Sequence, residues 1–163
     1  MSNTVRGIPY GSGPVMPIPN QSYRDIALSF KVQADSGRVL YALSIPEYIE
    51  AWLQIPDVSD FRFVFNPDTR EAFRVDLYEK ESLRACVHGT CRVVGENQVK
   101  YIWKTTSSTR TTETLVNMRL KYSAAGCILR LKHSGFNDPA ESAWCLKVWH
   151  QSLERLCRLM KKN

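Results

Sequence analysis

The chain has 163 residues, 22 Lys and Arg against 16 Asp and Glu, a net charge of +6 and 44% apolar residues. A compact fold of this length buries roughly 70% of the surface its unfolded chain exposes, so one domain can build a core without disulfides or metals, and global disorder and a stapled mini-protein are excluded. No apolar run approaches the ~18 residues of a transmembrane helix, and the N-terminus lacks the apolar stretch of a secretory signal.

Along the chain the basic residues are scattered among acids, apart from the terminal Lys161 and Lys162, so a nucleic-acid partner is not expected. The five cysteines are odd in number and form no CxxC pair. Four of them fall in runs that read as strand or helix, where a reduced cysteine acts as a small apolar side chain. That usage points to a reducing, cytoplasmic location.

Residues Met1 to Gln21 carry four prolines, three glycines and no acid. They predict a flexible lead segment over 1–22, ahead of a single domain over 23–163. Val15, Met16 and Ile18 leave a second reading open, an extended strand that packs on the domain or on a partner.

From Asp25, Ile26, Leu28, Phe30 and Val32 alternate with smaller or polar residues, the pattern of a half-buried strand. Asp35 and Ser36 offer an N-cap for a short helix through Leu43. A second short helix opens at Pro46, which suits a first helical turn, and ends before Pro56. Phe61, Phe63 and Phe65, the turn Asn66-Pro67-Asp68, then Phe73, Val75 and Leu77 predict a hairpin. Leu83, Ala85, Val87, Gly89, Cys91 and Val93 share one face of the next strand, and Gly95-Glu96-Asn97 turns into Val99, Tyr101 and Trp103. Thr105 to Thr112 reads as a polar, mobile loop. Thr114, Val116, Met118, Leu120 and Tyr122 alternate, and Ala125-Gly126 leads to Cys127, Leu129, Leu131 and His133. Asn137-Asp138-Pro139 caps a long amphipathic helix through Cys145, Trp149, Leu153, Leu156 and Met160. Strand, two short helices, six antiparallel strands and one long helix make an α+β arrangement with a seven-stranded sheet.

That order resembles the helix-grip fold of the START-like, birch-pollen-allergen-like superfamily, in which a curved antiparallel sheet wraps a long C-terminal helix. Val39-Leu40-Tyr41-Ala42-Leu43-Ser44-Ile45-Pro46-Glu47 with Ala51-Trp52-Leu53, and Leu129-Arg130-Leu131-Lys132-His133-Ser134-Gly135-Phe136 before the last helix, are similar to the branch named for the activator of the heat-shock protein 90 ATPase. The resemblance covers Tyr23 to Met160. Two details depart from it: Asn66 to Arg70 lacks the paired glycines common there, and Glu141-Ser142-Ala143-Trp144 stands where a Gly-Trp pair is common. Co-chaperones of that branch carry an additional N-terminal domain that the residues before the first strand do not supply, so co-chaperone activity is not expected.

The resemblance implies a space between sheet and helix, often an apolar ligand cavity. The inward face would be Phe73, Val75, Leu77, Val87, Tyr101, Trp103, Val116, Met118, Leu120, Leu129, Leu131, Trp149 and Leu153, with Cys91, Tyr101 and His133 as polar tips. Two readings stay open, a filled core and a ligand cavity. His133 either meets a ligand near neutral pH or is a structural group bonded within the protein. His88 and His150 are expected at the surface. Asp76, Glu79 and Glu81 read as a solvated hairpin end, with acid–base use only if one is buried. Cys86 and His88 share a face without a spacing that suggests activation. Dispersed histidines and cysteines offer no metal site, and no cofactor motif occurs.

Three functions compete: a module binding a small lipophilic or aromatic molecule; a protein-interaction domain related to chaperone ATPase activators, with a chaperone or other protein as partner; and a cyclase- or hydrolase-like enzyme, motivated only by Tyr101, His133 and Cys91 converging.

Overall fold

The elements follow in the order β1 (Ile26–Val32), α1 (Ser36–Ser44), α2 (Pro46–Trp52), β2 (Asp60–Phe65), β3 (Ala72–Glu79), β4 (Ser82–Val94), β5 (Gln98–Ser107), β6 (Thr111–Ser123), β7 (Gly126–Ser134) and α3 (Pro139–Lys161). The computed structural model describes residues 24–65 and 72–161. The lead segment expected over 1–22 and the turn Asn66 to Arg70 lie outside the described residues.

Local chemistry sets the element ends. Asp35 caps α1 by accepting from the Arg38 backbone N–H at 3.0 Å, and Asp138 accepts from Ala140 N at 3.0 Å at the start of α3. Ile45, forced extended by the proline that follows it, separates α1 from α2 at φ −98° and ψ 123°.

The seven strands form one antiparallel sheet in the order β1-β7-β6-β5-β4-β3-β2, curled into a half-barrel. Because β1 and β2 lie on opposite edges, α1 and α2 must carry the chain across the sheet, and α1 packs against β4, β5 and β6 on the way. Two side chains hold that crossing at the C-terminal end of α1: Trp52 Nε1 donates to Ala42 O at 2.8 Å, and the Tyr101 hydroxyl donates to Leu43 O. Helix α3, roughly 34 Å long at 1.5 Å per residue, buries Cys145, Val148, Trp149, Ser152, Leu153 and Leu156 against the concave side. Its other contacts clamp the segment after α2. Ser152 Oγ accepts from Gln54 N at 2.8 Å, Trp144 Nε1 donates to Pro56 O at 3.0 Å, and Arg155 Nε donates to Ala51 O at 2.7 Å.

Three expectations change. Thr105 to Thr112 is not a loop: β5 runs on to Ser107 and β6 starts at Thr111, with Thr105 opposite Thr112 and a tight connection closed by Ser107 N donating to Arg110 O. Threonine is a strand former, and strand pairing satisfies the backbone of a polar run as well as that of an apolar one. Leu83 does not share a face with Ala85. The register shifts between Leu77 and Tyr78, so that Leu77 faces Ala85 while Tyr78 faces Leu83, and the extra residue, Arg84, makes a β-bulge. Val93 and Tyr122 keep the inward parity but stand exposed at strand ends, Tyr122 at 84%.

Glycine 89 has a packing role. A Cβ there would sit 2.1 Å from the Phe73 ring, which lies over the Gly89 backbone and meets Tyr101 edge-on at 6.1 Å. Gly89→Ala therefore displaces Phe73 and overpacks the core, with an expected loss of about 1–3 kcal/mol in urea denaturation. Adding Phe73→Leu should recover part of that loss; a double mutant no more stable than Gly89→Ala would rule out this clash as the cause.

Candidate functional site

The middle of the concave face is one cross-strand row, Cys91, Tyr101, Val116 and His133. His133 is fully buried and sits between two partners. Trp149 Nε1 lies 2.9 Å from His133 Nδ1, and Thr114 Oγ1 lies 2.7 Å from His133 Nε2. An indole N–H can only donate, so Nδ1 accepts, Nε2 carries the proton and donates to Thr114, and the Thr114 hydroxyl donates on to Trp103 O at 3.2 Å. Every polar atom of the imidazole is satisfied in the neutral form. Burial lowers the His133 pKa from its ordinary 6.5 to about 3. Phe136 at 4.4 Å, Trp103 at 5.7 Å and Trp149 at 6.1 Å between ring centroids enclose it. Burial likewise drives the Tyr101 phenol well above its usual range, so it stays a donor to Leu43 O.

A cleft of about 420 Å³ opens at one end of the sheet, between the ends of β3, β4 and β5 and the first turns of α3. Val58, Leu77, Ala85 and Trp144 supply apolar wall, Thr105, Ser107, Ser108 and Thr109 a polar one, and Asp57, Glu79 and Arg84 also line it. The bulge matters here. Strict alternation would send Arg84 to the convex face; the extra residue re-aims it at the cleft. Lys147 Nζ holds Asp57 at 2.9 Å, whereas Arg84 makes no ion pair among the described residues. The Thr105 hydroxyl is buried and lacks a hydrogen-bond partner, as do Trp103 Nε1, one inward position along β5, and Glu141 Oε1. The other Glu141 oxygen accepts from Thr112 Oγ1 at 2.8 Å, and Arg110 pairs with Asp138, so the β5–β6 tip is tied to the start of α3 beside the cleft. Of these three residues Thr105 lines the cleft, and an unmet hydroxyl at a concave opening is the chemistry of a site with room for a polar group.

The family model described as Activator of Hsp90 ATPase homolog 1-like protein matches residues 33–161. The chain belongs to this family. Among solved structures, a Chromobacterium violaceum protein is similar at a TM-score of 0.65 and 20% identity, covering 83% of this chain and 96% of that one. A Mesorhizobium loti protein gives 0.65 and 19%, covering 86% and 98%. The AHSA1 protein from Silicibacter pomeroyi gives 0.64 and 17%, covering 85% and 98%. At these identities the likeness is one of fold. No curated protein matches the chain.

Within this family fold the side chains singled out from the sequence separate by location. Phe73, Val75, Leu77, Val87, Cys91, Tyr101, Trp103, Val116, Met118, Leu120, Leu129, Leu131, His133, Trp149 and Leu153 are all buried. Of these, Leu77 reaches the cleft. Trp103 and Trp149, 5.3 Å apart, and Trp52, 6.4 Å from Trp149, occupy the middle of the space under α3. The convergence suggested for catalysis brings Cys91, Tyr101 and His133 into one row, but the Tyr101 hydroxyl and both His133 nitrogens are engaged by protein groups. His88 and His150 are exposed. Asp76 is not a solvated end: it is buried and bound by Arg74 through bonds of 2.6 and 3.1 Å. Burial pushes its carboxyl up, but hydrogen bonds from Arg74 and Cys86 outweigh that and hold it below its ordinary range. Burial and the Asp76 bond push the Cys86 thiol up, away from the thiolate. Arg84, Thr105 and Trp144 were missed as site residues. Proline 56 followed by the Asp57 loop, and the long polar run on β5, were the available signals for that end of the sheet.

Because the unfolded chain binds a proton at His133 below about pH 6.5 and the folded one only near pH 3, stability is complete above the unfolded value and falls as pH drops between the two. The slope is at most about 1.4 kcal/mol per pH unit. Urea denaturation of the wild type and His133→Gln at pH 7 and pH 5 checks this. The wild type should lose more stability than the variant on acidification, and equal losses would mean that His133 already binds its proton in the folded state.

Proposed function

We propose that this chain is a small-molecule binding module whose site is the cleft between the β3–β5 ends and the N-terminal turns of α3. The observation that carries this reading is the buried, unpartnered Thr105 hydroxyl in the wall of a cleft of about 420 Å³, a volume within the range of ligand pockets. The lining supports a ligand with a lipophilic or aromatic body against Leu77, Ala85 and Trp144. One polar or anionic group would meet Thr105 Oγ1 and Arg84. The family fold supports the same class of function. The rings packed under the middle of α3 favour a ligand seated at the open end rather than deep between sheet and helix.

The test is native mass spectrometry of the full chain, followed by thermal denaturation with a panel of aromatic and fatty carboxylates. A ligand at a hundredfold excess over its Kd should stabilise the fold by about 2.7 kcal/mol. Ala85→Leu, which fills the cleft from its wall, should abolish the shift, and Thr105→Val should weaken it by roughly tenfold, the size of one lost hydrogen bond. Ligands that stabilise Ala85→Leu as well as the wild type would move the site elsewhere.

A second reading, a protein-interaction domain, draws support from the family match alone. It expects a stoichiometric complex with a chaperone, detectable by size-exclusion chromatography of the mixed proteins.

A further inference from the structure

The convex face of the sheet concentrates the positive charge of the chain, although the same residues are dispersed in sequence. Three adjacent cross-strand rows carry it. The first runs Arg92, Lys100, Asn117, Lys132, Ala27; the second Val94, Gln98, Arg119, Arg130, Ser29; the third Lys121, Ile128, Lys31. These rows hold seven cations and no carboxylate, and all seven cations are exposed. The four ion pairs among the described residues, Arg62 with Asp60, Arg74 with Asp76, Arg110 with Asp138 and Lys147 with Asp57, involve none of them. The period of two along each strand produces this gathering: Lys100, Arg119, Lys121, Arg130 and Lys132 all occupy positions that alternate with buried core residues.

The patch also has relief. Ala27 and Ser29 are short, so the longer side chains of Arg119, Arg130 and Lys132 stand around a trough of about 430 Å³ at the β1 side. Three rows span about 14 Å along the strands and five strands about 19 Å across. Opposite a surface of that width, a nucleic-acid duplex carries on the order of ten phosphates.

We infer that the convex β1-β7-β6-β5-β4 face is a docking surface for the phosphate backbone of a nucleic-acid duplex. Charge complementarity selects a polyanion, and the arginine fork of Arg119 and Arg130 suits phosphate oxygens. No aromatic side chain belongs to the three rows, so the surface lacks a platform for stacking unpaired bases, which favours a duplex over a single strand. A membrane is less well served, because the rows present a trough and not a projecting apolar tip. Binding through phosphates alone is independent of base sequence and strongly dependent on salt.

The experiment is fluorescence anisotropy of the full chain with a labelled, mixed-sequence DNA duplex over a range of salt concentrations. Log affinity should fall linearly with log salt, with a slope reaching about −6 if all seven cations meet phosphates. Arg119→Glu with Arg130→Glu should weaken binding at least tenfold and make the slope shallower by about 2. Arg38→Glu with Arg158→Glu, exposed on the helices and equal in net charge change, should alter affinity less than twofold. Circular dichroism melting confirms that both double variants fold. Absence of binding at low salt, equal losses in the two double variants, or tighter binding to phosphatidylserine vesicles than to the duplex at the same ionic strength would each overturn the inference.

Discussion

The bond from Trp149 to His133 joins the long helix to the middle of the sheet, and much of the interior is arranged around it. An indole can only donate, so His133 must accept at Nδ1 and donate at Nε2; the Thr114 hydroxyl accepts that hydrogen bond and donates its own to the Trp103 carbonyl. A polar chain of this kind is stable in an apolar interior only when every member is satisfied. Here it spans β5, β6, β7 and α3. It gives the aromatic cluster of Phe73, Trp103, Phe136 and Trp149 a fixed arrangement that hydrophobic burial alone would not specify.

Around that centre the curled sheet does two unlike things with its two faces. The concave side buries a continuous apolar surface under α3, closed at one end by α1 and its ties to Tyr101 and Trp52. The convex side is covered by nothing among the described residues and carries cations row after row. One alternation in sequence produces both, because successive side chains on a strand must point to opposite faces.

The cleft lies where the strand ends meet the start of the long helix. The ends of β3, β4 and β5 and the early turns of α3 frame the opening, and the bulge at Arg84 turns that side chain into it. Trp144, bonded to Pro56 O, and the Lys147–Asp57 pair hold the loop after α2 at the same end. The opening therefore combines an apolar wall that includes the core residue Leu77 with hydroxyls and an arginine.

Most of the architecture was legible in the sequence because its signals are local. Periods of two and near four, the Asp35 and Asp138 caps, and Pro46 at a first turn are each decided by neighbouring residues, and strand order along the chain was enough to suggest the fold and family. Thr105 to Thr112 was misread since a polar run gives no periodic signal, whereas the ladder partners that make it strand lie on another segment. Leu83 and Arg84 exchanged faces for the same reason: a bulge is a property of a pair of strands. The alternation determined which residues turn inward and which outward. Only the tertiary structure decided that Trp149 and Thr114 would saturate His133, that Arg84 and Thr105 would meet at an opening, and that cations from five strands would form one surface, because each of these depends on pairing between segments distant in sequence.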